Sequence, residues 1–184
     1  MRAALIFLPQ WDPRQPPLAP AILAGVMQCA GADTRVFDLN VALYRHLLQS
    51  TGNGEIGRFL LQKLLDPKNL ADAQNYLRIS QEAQKIFDSE FDPTGRARLF
   101  WDACGGLPSV NSSAGWKTAA EQPEKLPFIR HLDKELAEIF RWSPEFIGFS
   151  IISDTQLPAA LALAAFIRKR LPDAKITFGG DAVT

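Results

Sequence analysis

Apolar residues fall along this chain in two rhythms. Short unbroken or alternating apolar runs occur at residues 3–8 (AALIFL), 34–39 (TRVFDL), 146–152 (FIGFSII) and 175–178 (KITF), and each predicts a strand. Elsewhere apolar residues recur every three or four positions. That period predicts helices over residues 18–30, 41–49, 55–65, 70–87, 95–101, 124–142 and 154–171. Breaker residues separate the segments. Pro9, Pro13, Pro16 and Pro17 fix a rigid loop over 9–17, Gly31 stops the first helix, and Pro67 and Pro93 interrupt the middle of the chain. Pro20 is tolerated because it falls in the first turn of its helix. Residues 105–123, rich in Gly, Ser, Ala and Pro, predict a surface loop.

The order of these segments is informative. Strand, helix, strand at the start and again at the end require crossovers, so the paired strands are expected to be parallel with right-handed connections. The expected fold is α/β, a flavodoxin-like or Rossmann-like parallel sheet of about four strands. Residues 1–184 are read as one domain, with a helical insertion over about 41–142 that covers a sheet edge, forms a lid or presents a partner surface. The helix at 154–171 is apolar nearly all round from 157 to 167, which predicts burial on both sides. Four strands are few for a doubly wound sheet, so a fragment of a longer protein, or a sheet completed by a partner, is expected.

Charge removes several functions. The 20 basic and 20 acidic side chains cancel, which argues against a nucleic-acid binder. The one dense basic cluster, Arg168-Lys169-Arg170, falls at a predicted helix C-terminus, where cations suit the macrodipole. No apolar run approaches the roughly 20 residues that span a bilayer, so neither a membrane span nor a membrane partner is expected. Two cysteines, Cys29 and Cys104, supply neither a disulfide framework nor a metal-type pair, and a cytoplasmic location is the default expectation.

In open parallel sheets, ligands bind beyond the carboxyl ends of the strands, where the strand order reverses. Three segments converge there: the 9–17 loop, residues 150–155 and residues 178–181. Ser153, Asp154 and Thr155 can cap the following helix, a structural role that needs no ligand. Ser150 lies inside an apolar strand and its hydroxyl needs a partner. Gly179-Gly180 forms either a tight turn or a place where a flat ligand meets bare backbone.

Ser150-Ile151-Ile152, followed after 26 residues by Gly179-Gly180, resembles the S-x-L…G-G arrangement of cobalamin-binding domains. Pro9-Gln10-Trp11, Pro16-Pro17-Leu18 and Val36-Phe37-Asp38 are similar to the N-terminal domains of cobalamin-dependent radical S-adenosylmethionine enzymes. So is the ending Gly179-Gly180-Asp181-Ala182-Val183-Thr184. The likeness covers about the first 40 and the last 40 residues. It departs from the pattern at Ile152, where leucine is usual. The resemblance implies a cobalamin site with Ser150 by the nucleotide tail and the glycines lining its channel. Ser153, Asp154, Thr155 and Asp181 belong to the same edge, and Pro9, Gln10 and Trp11 to the first loop. Gln10 and Trp11 could lie against the lower face of the corrinoid, and a surface aromatic is an equal reading of Trp11. The first loop has no D-x-H-x-x-G motif, so no histidine ligation of cobalt is expected. The C-x-x-x-C-x-x-C motif that holds an iron–sulfur cluster is also absent. S-adenosylmethionine and the cluster would therefore belong to a missing downstream domain or partner chain, where methyl transfer or related radical chemistry would take place. The chain is not expected to be catalytic alone.

Two other readings share the fold. One is a nucleotide- or flavin-binding α/β module, although neither G-x-G-x-x-G nor a P-loop follows the first strand. The other is a non-catalytic partner-binding domain that uses the helical insertion. A hydrolase lacks support, because no G-x-S-x-G elbow occurs.

Overall fold

A computed structural model describes residues 1–9, 11, 17–50, 54–91 and 112–183. Gln10, most of the 9–17 loop, the helix predicted at 95–101, and Cys104 lie outside the described residues.

Four parallel strands form one sheet: β1 (Arg2–Phe7), β2 (Asp33–Asp38), β3 (Phe146–Ser150) and β4 (Lys175–Gly179), in the order β2-β1-β3-β4. The order reverses between β1 and β3, so a crevice opens there at the carboxyl edge. This is the expected α/β sheet of flavodoxin-like or Rossmann-like class. β2 ends at Asp38 rather than Leu39, because the Asp38 carboxylate accepts the Val41 N–H at 2.9 Å and starts a helix at once.

Helix α1 (Leu18–Cys29) connects β1 to β2. Gly31, at φ 83°, closes it as the sequence predicts, with Gly31 N–H on Gln28 and Ala32 N–H on Met27 at 2.9 and 3.0 Å. Between β2 and β3 run α2 (Leu39–Ser50), α3 (Gly54–Leu65), α4 (Pro67–Ala71), α5 (Ala73–Phe91), α6 (Ser113–Glu121) and α7 (Asp133–Trp142). Helix α8 (Leu157–Arg168) joins β3 to β4.

Three segments between β2 and β3 differ in kind from expectation, and α8 begins at Leu157 after a 3-10 turn over Asp154–Gln156 rather than at 154. Asp66 and Asp72 both accept first-turn N–H groups, so α4 and α5 form where one helix over 70–87 was expected. The predicted 105–123 loop holds α6, whose first turn is capped by Ser112 accepting the Gly115 N–H at 3.1 Å. Its small residues suggested a loop, but they let α6 lie close against the alanine-rich α8, with Ala119 fully buried. The helix predicted over 124–142 is two 3-10 turns, Pro123–Lys125 and Pro127–His131, followed by α7. Proline at the start of each turn removes a helical donor.

Alternation along the strands separates the two sheet faces. Ala4, Ile6, Phe37, Ile147 and Phe149 face the insertion and α8, and join one core with Leu43, Leu136 and Leu163. Each fully buried Leu, Ile or Phe among them contributes about 1.5–3 kcal/mol. Six residues of α8 are buried, as its apolar circumference predicts. Ala3, Leu5 and Phe7 face the other side, where α1 packs mainly on β1 and β2. The same side of β3 and β4 is left open beside α1. On α1 itself Leu18, Ile22, Leu23 and Val26 are all exposed.

The basic run at the end of α8 is occupied by helix-end contacts. Arg168 donates to the Pro172 carbonyl, Lys169 lies 3.8 Å from Glu124, and Arg170 stacks on Phe166. Among the described residues, no helix is long and apolar enough to cross a membrane.

Candidate functional site

The carboxyl edge is knitted together by backbone and by one side chain. Ile151 N–H donates to the Gly179 carbonyl at 2.8 Å, and Ala182 N–H to the Ile151 carbonyl at 3.3 Å. Gln156 is completely buried. Its Nε2 donates to the Leu8 carbonyl at 2.9 Å, while its Oε1 accepts from Ile152 N–H at 2.8 Å and Ser153 N–H at 3.4 Å. This amide spans the crevice between β1 and β3. Sequence reasoning missed it. The signal was Ser153-x-x-Gln156, a capping-box spacing at the start of a helix.

The capping residues are placed as a structural reading requires. Ser153 Oγ accepts the Thr155 N–H at 3.3 Å and the Thr155 hydroxyl at 2.9 Å, and donates to the Asp154 carboxylate at 3.2 Å. Asp154 is exposed, and Thr155 is half-buried. Trp11 lies on the β2 side of the first strand, where its backbone N–H donates to Oδ1 of the buried Asn40 at 3.2 Å. Pro9 is buried at the end of β1, and Asp181 is exposed in a 3-10 turn after β4.

Ser150, Gly179 and Gly180, by contrast, come together. They line a groove of about 180 Å³ on the open sheet face, with Leu5, Leu23 and Thr177. The wall is mostly apolar. Among the described residues the Ser150 hydroxyl has no hydrogen-bond partner, so it stands as a free donor and acceptor in the groove.

The two glycines have different reasons to be glycine. Gly180 has φ 112°, and a Cβ there would lie 2.2 Å from the Ile151 carbonyl oxygen, so the backbone itself excludes a side chain. Gly179 is at ordinary φ, and a Cβ there would meet nothing within 4 Å. Its missing side chain leaves open groove rather than relieving a clash.

Asp38, at the end of β2, is pushed above the usual carboxylate range by burial, an effect that hydrogen bonds from Val41 and Asn40 partly oppose. Both histidines of the sequence, His46 and His131, lie in a separate cleft that shares no residue with the groove. Among the described residues, no trio of His, Cys, Asp or Glu is gathered to hold a metal ion.

No protein-family model, curated protein or solved structure matches the chain.

Proposed function

We propose that this chain binds a corrinoid, with the flat base of its nucleotide tail lying in the groove between α1 and the β3–β4 face. The observation that carries the reading is the meeting of Ser150, Gly179 and Gly180, the residues of the motif resemblance, in a single groove. About 180 Å³ is below the usual size of a whole small-molecule pocket. It suits one flat part of a larger ligand. The apolar walls would bury the ring faces, Ser150 would offer a hydrogen bond, and Gly179 would let the base lie on bare backbone. No histidine lines the groove, so cobalt ligation by a protein imidazole is not part of this reading. When bound, the corrinoid supplies methyl-transfer or related radical chemistry, in concert with an S-adenosylmethionine and iron–sulfur domain supplied elsewhere.

Two other readings keep a specific footing. A flavin is the competing flat ligand for the same groove. A partner-binding role draws on the exposed apolar face of α1, where Leu18 and Ile22 are 68% and 67% exposed. That face adjoins the groove, so a covering protein layer would also close the corrinoid site.

Incubation with hydroxocobalamin followed by gel filtration tests the proposal. The expected result is co-eluting corrinoid at near-equal stoichiometry, lost in Gly179→Val with circular dichroism unchanged. Uptake of flavin mononucleotide instead would transfer the groove to the flavin reading. Equal corrinoid retention by Gly179→Val, or none by this chain and a longer one, would overturn the proposal.

A further inference from the structure

We propose that the cleft between α2 and the corner joining the 127–131 turn to α7 is a second ligand site, for a phosphate-bearing anion.

The sequence places Arg45-His46 on α2 and Arg130-His131 at the end of the 3-10 turn. Ala42, Arg45, His46 and Gln49 follow helical spacing and so share one face of α2. That face looks across about 310 Å³ at Arg130, His131 and Lys134. Both walls are held from below. Leu43 and Leu47 of α2, and Phe128, Ile129 and Leu132 around the turn, are buried in the core. The cationic side chains are therefore displayed from fixed backbone.

The two imidazole rings lie 5.2 Å apart, centroid to centroid, at 49°. Arg130 Nε donates to His131 Nε2 at 3.4 Å, a contact that only the neutral ring can accept. Among the described residues, neither Arg45 nor Lys134 forms an ion pair, so both charges are available to a ligand.

Every charged group facing the imidazoles has a place in the balance. Arg45, Arg130 and Lys134 are positive, while Asp133 and Glu135, in the first turn of α7, are negative. Three positive side chains against two negative ones leave the cleft net cationic. Protonation of His131 would make the cleft still more positive. The His131 pKa is held below the ordinary 6.5 by burial first, then by Arg130 and His46, with Asp133 pulling the other way. Such a field opposes a metal cation and favours an anion.

Phosphate fits better than carboxylate. A carboxylate offers two oxygens, whereas two guanidinium groups, an ammonium and two imidazoles suit a dianion with three. The volume lies at the low end for small-molecule pockets, which suits a small phosphomonoester or free phosphate. A bound dianion would favour protonated His131, so binding takes up a proton there.

The two histidines make the test direct, because the full chain gives only two imidazole ring systems in proton NMR. Titration with inorganic phosphate, and separately with glycerol 3-phosphate, is expected to shift both histidines saturably and to raise the His131 pKa. Tighter binding of the ester would identify an organic phosphate, and equal binding would identify the free ion. Arg45→Gln is expected to weaken binding about tenfold, roughly the 1.4 kcal/mol of one lost charge-assisted hydrogen bond. Arg45 is exposed, so that variant should fold, and circular dichroism checks it. The proposal is overturned by shifts that sodium chloride reproduces at equal ionic strength. It is equally overturned by the absence of saturable shifts at millimolar phosphate, or by saturation with zinc ions alone.

Discussion

Gln156 is the residue whose loss should be most visible. Gln156→Leu keeps nearly the same volume in a site with no exposure, so no cavity is opened. It removes the donor to the Leu8 carbonyl at 2.9 Å and the acceptor for the Ile152 N–H at 2.8 Å. The Leu8 carbonyl has no other route to solvent, while Ile152 is half-buried and recovers some hydration. Each buried group left unpaired costs about 1–3 kcal/mol, and the third contact, at 3.4 Å, adds little. The expected loss is therefore about 2–4 kcal/mol in urea unfolding. At about 2–4 °C per kcal/mol for a chain of this size, that corresponds to a drop in Tm of roughly 5–15 °C. Gln156→Glu provides an internal check. Its ionised carboxylate cannot donate to Leu8 and is buried, so its folded-state pKa would be raised. The resulting penalty is fully present at high pH and disappears as pH falls, because the protonated acid can donate to Leu8 and accept from Ile152. A loss below about 0.5 kcal/mol in Gln156→Leu, the range of ordinary surface substitutions, would refute the crevice-spanning role.

The glycine pair should split cleanly. Gly180→Ala forces a Cβ against the Ile151 carbonyl at a positive φ, and should cost roughly 2–4 kcal/mol in urea unfolding. Gly179→Val adds a strand-favouring side chain in open space, and should leave that stability within about 0.5 kcal/mol. Comparable losses in both would refute the distinction between them. Asp38 titrates above the ordinary 3.8 because burial disfavours its charge. The folded state therefore holds that proton more tightly than the unfolded state, and stability falls as pH rises through the window above 3.8. Asp38→Asn keeps an acceptor for the Val41 N–H and should remove that slope in unfolding measured between pH 4 and 7; an unchanged slope would assign it to another group.

Much of the sheet could be read locally. The apolar run at 3–8 belongs to a central strand buried on both faces, where burial imposes the same residue choice at every position, and the run at 146–152 is buried through its middle and open to the groove at Ser150. Gly31 closed α1 because one αL residue suffices for that motif. The insertion was less legible. In α6, Ala and Gly signal a loop by composition, but they form a helix because α8 offers an equally small surface to pack on. In the 124–142 segment the helical period was real, yet Pro127 replaced its first turns with 3-10 geometry.

The sequence by itself determined the class of the fold, the strands, and the candidacy of Ser150, Gly179 and Gly180, because these depend on period, turn chemistry and spacing. Only the tertiary structure decided that these three share a groove while Trp11 and the Ser153–Thr155 cap do not line it. It alone put Gln156 across the crevice and brought His46 against His131 from segments 85 positions apart. Those relations depend on strand order and helix packing, and a chain read residue by residue carries no record of which distant segments will meet.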